Sequence, residues 1–278
     1  MTYALIDSGF GEKLEEFGAY RLIRPSAQAV WPPALGKSFW NQASARFIRK
    51  ENSNEWIKKK EFPEAWHVQI EGIVFGLLPT DFGHLGVFPE HASQWQFIQD
   101  ILHSVKEEVE ILNLFAYTGG ATLAAAKAGA KVCHLDASKT SVAHARDNAK
   151  LNHLEKHPIR WIIEDALKFL RRESKRGKKY RGIILDPPSF GRGKLGEVFK
   201  IERDLGEILD LCKELLHEPL FIVFTSHTPG FTPLVMRNLL YTMMETFQGK
   251  IEEGELFIPS KSGLPLPAGS FARWSNGC

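Results

Sequence analysis

The feature that most constrains this chain is an alternation of short apolar runs with helical stretches, which begins at about Ser93. The apolar runs lie at residues 111–115, 132–135, 159–163, 182–185 and 220–224. Strands buried on both faces are almost continuously apolar, whereas strands with one wet face alternate apolar and polar residues. The pattern therefore predicts an α/β fold, with a doubly wound parallel sheet covered by helices on both faces.

The first eighty residues have a different pattern. They contain four of the seven tryptophans, strand-like runs at 66–70 and 73–77, and several prolines that interrupt any helical period. We predict a small β-rich N-terminal domain over residues 1–80 and a larger domain over residues 81–278. Residues 81–92, punctuated by glycine and proline, would connect the two. At the end of the chain, runs at 250–258 and 270–274 are typical of a strand pair.

Composition excludes several classes of protein. Hydrophobic residues make up 44% and charged residues 24% of the 278 positions, with a net charge of +2, as in ordinary globular domains. No run of about 18 apolar residues is present, so no membrane span is expected, and no signal peptide is visible. Cys133, Cys212 and Cys278 are too widely spaced for a disulfide framework or a zinc site. We expect a cytoplasmic protein without a metal, in which any nucleic-acid site is a local basic patch.

The turn after the first predicted strand is rich in small residues. In doubly wound sheets, ligands bind beyond the carboxyl ends of the strands. Residues 113–122 read NLFAYTGGAT, and the adjacent Gly119 and Gly120 would let the backbone approach a ligand without a Cβ in the way. The spacing is not that of the G-x-G-x-x-G fingerprint. A tight turn without a ligand explains this segment equally well.

Acidic residues follow the next two predicted strands. Asp136 ends the second, where a carboxylate can accept hydrogen bonds from ribose hydroxyls. Asp165 follows the third, where it can accept from an adenine amino group. Each acid can also be the N-cap of the helix that follows, and the two roles are compatible. The order of glycine turn and two acids indicates an adenosyl cofactor.

The fourth predicted strand ends in the most distinctive motif of the chain, Asp186-Pro187-Pro188-Ser189-Phe190. Consecutive prolines fix φ and direct the chain away from the sheet. The Asp186 carboxylate and the Pro187 carbonyl would then accept hydrogen bonds from an NH-bearing group, and Phe190 offers a flat face for a base. The alternative is a rigid loop with Phe190 in the core. The position at a strand end favours the site.

Together these segments resemble class I S-adenosylmethionine-dependent methyltransferases, and more narrowly bacterial methyltransferases of large-subunit ribosomal RNA, whose fourth motif reads Asp-Pro-Pro-x-Phe. The resemblance covers about residues 80–225. It implies a Rossmann-like, seven-stranded methyltransferase sheet with an antiparallel last strand, preceded by a small N-terminal β-rich domain. It also implies a catalytic domain over residues 81–278, S-adenosyl-L-methionine as the cofactor and ribosomal RNA as the partner.

The resemblance also assigns residues. Catalytic roles fall to Asp186, Pro187, Pro188 and Phe190. The cofactor-binding residues it implies are Phe82, Gly83, Phe115, Tyr117, Thr118, Gly119, Gly120, Asp136, Ala137, Ser138, Asp165, Ala166 and Asp186. In this assignment the turn lines the methionine side, Asp136 meets the ribose and Asp165 lies near the adenine. The segment that contains Phe82 and Gly83 would fold over the cofactor.

The cysteines bear on the methyl acceptor. Carbon methylation of cytosine requires a thiolate that adds to the ring. Related carbon-methylating enzymes have a cysteine after the fifth strand, where this chain has Ser226, whose hydroxyl is far less acidic than a thiol. We therefore predict a base nitrogen as the acceptor. His84 and His227 are candidates for taking up the released proton, although a lone histidine is more often structural.

Candidates for RNA contact are Arg192, Lys194 and Lys200, just beyond Phe190, and the lysines at 58–60. The dense basic run at 168–181 is more typical of a solvated helix end. Two alternative functions remain open: a methyltransferase of the same fold that acts on a protein or small molecule, and a non-catalytic RNA-binding relative. A nicotinamide-dependent enzyme fits less well, because the G-x-G-x-x-G fingerprint is missing.

Overall fold

The computed structural model describes residues 2–50, 53–59, 61–192 and 198–277. The chain divides into two compact units. The N-terminal unit comprises Met1–Ala92 and Phe257–Ala268, and the larger unit comprises Ser93–Leu256 and Gly269–Cys278. This division differs from the predicted boundary at 80/81 in two respects. The connector at 81–92 belongs with the N-terminal unit, and a distant segment joins it.

The N-terminal unit is rich in β-structure, as predicted. Its five-stranded sheet has the order β1-β2-β3-β4-β5, and a separate hairpin is formed by β6 and β7. The elements are β1 (Tyr3–Gly9), β2 (Glu12–Phe17), β3 (Tyr20–Pro25), α1 (Lys37–Trp40), β4 (Ala45–Arg49), β5 (Asn54–Lys58), β6 (Trp66–Ile70) and β7 (Ile73–Leu77). The hairpin strands coincide with the two strand-like runs in the sequence.

The connector groups with the N-terminal unit because its backbone bonds back onto that unit. The amide of Leu78 donates to the carbonyl of Leu85 at 3.0 Å, and that of Thr80 donates to the carbonyl of His84 at 2.9 Å. The buried Arg24 of β3 also donates from Nη1 to the carbonyl of Gly83 at 3.1 Å. A segment tied down in this way is an ordered part of the unit and not a free linker.

Residues 257–268 join the N-terminal unit through β1. The amide of Lys261 donates to the carbonyl of Leu5 at 2.9 Å, and a small apolar cluster covers the same strand. The buried members of that cluster are Leu5, Ala29, Ile258 and Leu266. No local pattern in the sequence indicates this pairing, because the partners are more than 250 positions apart.

The larger unit is built on a seven-stranded sheet of order β10-β9-β8-β11-β14-β16-β15. The elements are α2 (Ala92–Ser104), β8 (Glu110–Leu114), α3 (Gly120–Lys127), β9 (Lys131–Asp136), α4 (Lys139–Leu151), β10 (Ile159–Ile163), α5 (Ala166–Lys175), β11 (Tyr180–Leu185), β12 (Phe190–Arg192), β13 (Val198–Lys200), α6 (Ile201–Leu215), β14 (Leu216–Ser226), α7 (Pro233–Met244), β15 (Lys250–Ile258) and β16 (Leu266–Ser275). Strands β10, β9, β8, β11 and β14 run parallel, whereas β16 is antiparallel to β14. The predicted sheet, with its antiparallel last strand, is confirmed.

Both faces of the sheet are covered by apolar clusters. Leu112 and Leu114 of β8 point into one cluster, and Ile111 of the same strand points into the other. The edge strand β10 is an exception to the predicted burial: it is only half-buried, and Ile163 is 43% exposed. An edge strand has a neighbour on one side only, which leaves part of its surface to solvent. Among the described residues, no helix has the length and apolarity to cross a membrane.

Candidate active site

The sheet order brings the predicted site residues of the larger unit to one edge. Strand β8 lies between β9 and β11, so the chain leaves β8 in one direction and later returns on its other side. Ligands bind at such a switch point in open α/β sheets. Neighbouring strands are about 4.8 Å apart, so the ends of β9 and β11 are about 10 Å from each other. Asp136 and Asp186 therefore flank the turn that follows β8.

The turn after β8 is strained. Phe115, Tyr117 and Gly119 have φ values of 55°, 49° and 91°, all left-handed. For residues other than glycine this conformation costs roughly 1–2 kcal/mol each. Such strain persists where surrounding structure over-determines it, and it clusters at functional sites. Sequence reasoning selected these residues but did not foresee that two side-chain-bearing residues would adopt this conformation.

The two positions of the turn require glycine for different structural reasons. Gly119 has a left-handed backbone conformation, whereas Gly120 begins α3 and packs against Trp95 of α2. A Cβ added at Gly120 would lie 2.5 Å from the Trp95 ring. The interpretation that both glycines exist to admit a ligand is therefore too simple for Gly120. The N-cap Gly119 makes no side-chain cap, so the first amides of α3 are donors available at the switch point.

Asp136 is held in place by two backbone amides. Its Oδ2 accepts from the amide of Tyr117 at 2.8 Å, and its Oδ1 accepts from the amide of Ser138 at 2.8 Å. Burial raises the pKa of Asp136 despite these two hydrogen bonds. The alternative role as helix N-cap is wrong, since Ser138 caps α4 by accepting from the amide of Ser141. Each carboxylate oxygen has a second lone pair, which a ribose hydroxyl can use.

Asp165 is the N-cap of α5, as the alternative interpretation expected. Its Oδ1 accepts from the amide of Lys168 at 3.0 Å. The carboxylate lies at the end of β10, next to the end of β9 that carries Asp136. Ala166 begins α5 and is buried. The capping role leaves Oδ2 of Asp165 outside that bond.

Asp186 is oriented by the neighbouring strand. Its Oδ1 accepts from the Thr225 hydroxyl at 2.7 Å, and Nε2 of His227 lies 3.9 Å from the same oxygen. Thr225 is only 2% exposed and lies near the end of β14, which pairs with β11. Sequence reasoning missed Thr225. The polar residues 225–228, which follow the apolar run of the fifth strand, could have indicated it.

The residues after Asp186 leave the sheet as the prolines predict. Pro187 is buried and Pro188 is exposed. The Ser189 hydroxyl lies 2.8 Å from that of Thr228, which ties the segment to the residues just after β14. Phe190 begins β12 and is 49% exposed, so the alternative that places it in the core is wrong.

The described cysteines are poor nucleophiles. Cys133 and Cys212 are buried, and burial raises the pKa of Cys133 to about 11 and also raises that of Cys212. Cys278 lies outside the described residues. Ser226 is 1% exposed, and its hydroxyl accepts from the amide of Thr228 at 3.2 Å. The thiolate route to carbon methylation therefore has no candidate among the described residues.

A buried polar layer supports the turn from behind. The Asn148 side chain donates to the carbonyl of Thr118 at 3.0 Å. Thr122 accepts from Asn113 at 2.9 Å and lies 2.9 Å from Nδ1 of His134. Burial, with a smaller effect of the charge on Arg146, lowers the pKa of His134 to about 3, so this histidine is neutral. Sequence reasoning missed this layer, because each member looked like an ordinary strand or helix residue.

The structure limits the predicted RNA contacts. Lys200 ends β13, whereas Lys194 and Lys60 lie outside the described residues. Arg192 lies in β12, in a hairpin paired with β13. The basic run at 168–181 is largely neutralised by ion pairs, which agrees with its interpretation as a solvated helix end. These pairs are Arg171–Glu207, Arg172–Glu164, Arg176–Glu173, Lys178–Glu110 and Arg181–Glu107.

The two remaining cofactor candidates lie in the N-terminal unit. Phe82 is 71% exposed, and Gly83 has a φ of 80°. A Cβ on Gly83 would lie 2.5 Å from the ring of Phe47. Their role toward the cofactor stays a prediction.

Comparison with known proteins places these features in a family. A family profile described as S-adenosylmethionine-dependent methyltransferase matches residues 12–236. The chain is 40% identical to a SAM-dependent methyltransferase from Agrobacterium tumefaciens of known crystal structure. That superposition covers 99% of this chain and 91% of the other, with a TM-score of 0.95.

Two curated relatives are named ribosomal RNA large subunit methyltransferase K/L. The one from Syntrophotalea carbinolica is 32% identical over 185 residues, which are 66% of this chain and 25% of that protein. The one from Chromohalobacter salexigens is 28% identical over 250 residues, covering 82% of this chain and 32% of that protein. The chain thus spans about a quarter to a third of the length of these relatives.

Proposed function

This chain belongs to the S-adenosylmethionine-dependent methyltransferase family, and on that premise we propose that it methylates a base nitrogen in ribosomal RNA. The single observation that carries the proposal is the Asp186–Thr225 hydrogen bond beside the switch point. It holds a carboxylate at the end of β11, next to the turn where a family member binds its cofactor. The names of the curated relatives support ribosomal RNA, and with it a cytoplasmic location.

The residues at the switch point fit an adenosyl cofactor. Asp136 is a half-buried carboxylate with lone pairs for ribose hydroxyls, and the first amides of α3 suit a carboxylate such as that of methionine. We assign the adenine end to the neighbourhood of Asp165. S-adenosylmethionine, when bound, supplies a methyl group on a sulfonium with a good leaving group. The task of this chain is then mainly orientation, for which effective molarities of about 10⁵ M or more are known.

Asp186 and the Pro187 carbonyl orient the acceptor. Both are hydrogen-bond acceptors, and a proline offers no amide that would compete for them. An amino or imino N–H of a base would donate to them, which directs the nitrogen lone pair toward the methyl group. Phe190, half exposed at the start of β12, offers a ring on which the base stacks.

The proton released from the nitrogen needs a route. As the N–CH₃ bond forms and the S–CH₃ bond breaks, one proton leaves the nitrogen, and Asp186 is the group placed to receive it. Nε2 of His227 lies 3.9 Å from Oδ1 of Asp186, and its side chain is 36% exposed. We assign to His227 the passage of this proton to solvent. The nitrogen acceptor is further supported by the burial of both described cysteines.

A labelling experiment tests this function. The protein is incubated with methyl-labelled S-adenosylmethionine and ribosomal RNA from a strain that lacks the gene, and the RNA is digested to nucleosides. We expect label in an N-methylated nucleoside. Label in 5-methylcytosine would overturn the nitrogen assignment, and label only in protein or a small molecule would favour the alternative acceptors.

The matched variant is Asp186→Asn, which keeps the shape of the side chain. We expect transfer to fall by about 100-fold or more, because a positioned electrostatic contact to the reacting group is lost. Affinity for S-adenosylmethionine, measured by calorimetry, should change only a few-fold. A variant that transfers methyl groups normally would remove Asp186 from the mechanism.

A further inference from the structure

A cavity of about 130 Å³ lies within the N-terminal unit. Its wall is formed by side chains of β2, β3 and β4 and by the connector segment at 82–90. Except for Phe82 and Gly83, which the family resemblance assigns to the cofactor, the lining residues have no role in the proposed function. At about 30 Å³ per liquid water, the cavity holds a group of about four water molecules in size. This is room for part of one nucleotide, not for a duplex.

One wall of the cavity is cationic and pre-organised. Arg24 is only 7% exposed, and its Nε and Nη2 donate to the carboxylate of Glu15 at 2.7 and 2.9 Å, while Nη1 donates to Gly83. A guanidinium has five N–H groups, so two remain beyond these bonds among the described residues. Lys13 and Arg49 line the same cavity. Guanidinium groups are typical contacts for a phosphate, and Arg49 is the exposed arginine of the cavity.

The basic side chains around His84 affect its protonation state. His84 lines the cavity, and its pKa is lowered by burial and by the charges of Arg24, Arg49 and Lys13. The histidine is therefore neutral near pH 7. Arg24 and Lys13 both pair with the buried Glu15, so the positive charge offered to a ligand comes mainly from Arg49.

Glu90 places a second requirement on the ligand, which is a hydrogen-bond donor. This residue is 8% exposed and lines the cavity, and its Oε2 has no hydrogen-bond partner among the described residues. An unpaired carboxylate oxygen is costly to bury. A ligand that satisfies both walls must therefore carry an anion and an N–H donor.

Aromatic rings complete the wall. Phe47, Phe82 and Phe88 line the cavity, and Phe82 is 71% exposed. Exposed rings at the edge of a basic cavity are typical of proteins that stack unpaired bases. A zwitterionic amino acid would satisfy the charges but would make no use of the exposed Phe82 ring. A nucleotide has all three parts: a phosphate, a flat ring and N–H groups on the base edge.

We propose that this cavity receives the base edge of one unpaired nucleotide of an RNA strand, with an N–H group of the base toward Glu90 and the phosphate outside, toward the exposed Arg49 and the partly exposed Lys13. The proposal rests on the proposed function only in taking the strand to be the substrate RNA. It assigns the N-terminal unit a part in holding the strand.

Binding of a fluorescein-labelled single-stranded RNA of about 12 nucleotides, followed by anisotropy, tests the proposal. Arg49→Glu and Phe82→Ala should each weaken binding by about tenfold, the order of magnitude expected for a lost phosphate or stacking contact. Arg49→Ala should also lower the slope of log K against log salt by about one. Guanosine monophosphate should compete better than inorganic phosphate, because the phosphate ion lacks the base.

The chain offers matched controls. Arg46 lies on the same strand as Arg49 but on its other face, and Phe10 is as exposed as Phe82, at 73%. Neither residue lines the cavity, so Arg46→Glu and Phe10→Ala should bind RNA within about twofold of the parent chain. Circular dichroism and thermal melting verify that each variant is folded.

Several results would overturn the proposal. These are no RNA binding by the parent chain, unchanged binding in both test variants, equal losses in the controls, or competition by phosphate as strong as by the nucleotide. A Phe82→Ala variant that loses affinity for S-adenosylmethionine but not for RNA would return Phe82 to the cofactor. The proposed function fails separately, in the labelling experiment. If ribosomal RNA is labelled but the cavity variants bind RNA as the parent chain does, only the cavity proposal is wrong.

Discussion

The Thr225 hydroxyl helps to set the direction of the Asp186 carboxylate. Asp186 follows the last residue of β11 and is partly exposed, so its side chain has several rotamers open to it. The hydrogen bond from Thr225, at 2.7 Å, selects one of them. Hydrogen bonds to charged groups are worth about 1.5–3 kcal/mol, which is ample to fix a rotamer.

We predict that Thr225→Val lowers kcat for methyl transfer by about tenfold, because Asp186 loses this bond while the packing of the side chain is nearly kept. Affinity for S-adenosylmethionine should be unchanged. Thr225→Ser keeps the hydroxyl and should restore most of the activity. Equal activity of the valine and serine variants would contradict this positioning role.

A second residue-scale prediction concerns the buried ion pair of Glu15 and Arg24. Glu15 is fully buried; burial raises its pKa, but the charges of Arg24 and Lys13 and the hydrogen bonds from Arg24 and Tyr3 outweigh this and lower it to about 2. The folded-state pKa is thus below the unfolded value of about 4.3. Such a group stabilises the fold above the unfolded pKa, and its contribution is lost as pH falls from about 4.3 toward 2.

Glu15→Gln should therefore destabilise the protein at pH 7 by about 3–5 kcal/mol, because Arg24 is left as an uncompensated buried charge. Urea denaturation followed by tryptophan fluorescence measures this change. The difference from the parent chain should shrink below pH 4. A difference that is constant from pH 7 to pH 3 would show that the charge of Glu15 is not its source.

At the scale of elements, the junction of β8 and α3 is an exception to the rule that alanine is more stable than glycine in a helix. Replacing glycine by alanine in a helix usually stabilises it by about 1 kcal/mol. At Gly120 the new Cβ would lie 2.5 Å from Trp95, whereas at Gly206 in α6 nothing lies within 4 Å. The same substitution should therefore have opposite signs at these two positions.

We predict that Gly120→Ala lowers stability by about 1–3 kcal/mol through overpacking and weakens the binding of S-adenosylmethionine, because it displaces the start of α3. Gly206→Ala, the control, should raise stability by up to about 1 kcal/mol. In a Trp95→Leu background the cost at Gly120 should shrink, as expected for coupled neighbours. Equal signs for both glycines, measured by thermal melting, would contradict the packing argument.

At the scale of the whole molecule, the N-terminal unit is closed by a segment from the other end of the chain. Ile258 and Leu266 are 3% and 1% exposed and pack with Leu5 of β1. Both side chains should therefore stabilise the N-terminal unit, although they are more than 160 positions beyond its other strands in the sequence.

We predict that Leu266→Ala costs about 2–5 kcal/mol, the range for large-to-small core changes. Amide hydrogen exchange should become faster in β1, β2 and β3, while β8 and β9 keep their protection. Leu264→Ala is the control, since Leu264 is 52% exposed and should cost little. Faster exchange confined to β8 and β9 would contradict this division of the chain.

Local information in the sequence was sufficient to predict the sheet, and it selected most of the residues of the candidate site. Continuous apolar runs identified the strands of the larger unit, because burial on both faces demands them. The rule that ligands bind at carboxyl ends then selected Asp136, Asp165 and Asp186 without any knowledge of their contacts. The sheet prediction succeeded because it depends on residues that are close together in the chain, whereas the roles of the three acids stay predictions.

Features that join distant parts of the chain required the tertiary structure. Thr225 is 39 positions from Asp186, and residues 257–268 pair with β1 across almost the whole sequence. The cavity of the N-terminal unit combines three strands with the connector, so no single segment contains its pattern. The sequence by itself determined which residue types stand at the strand ends. Strand pairing, which is non-local, decided which of them meet and which way they point.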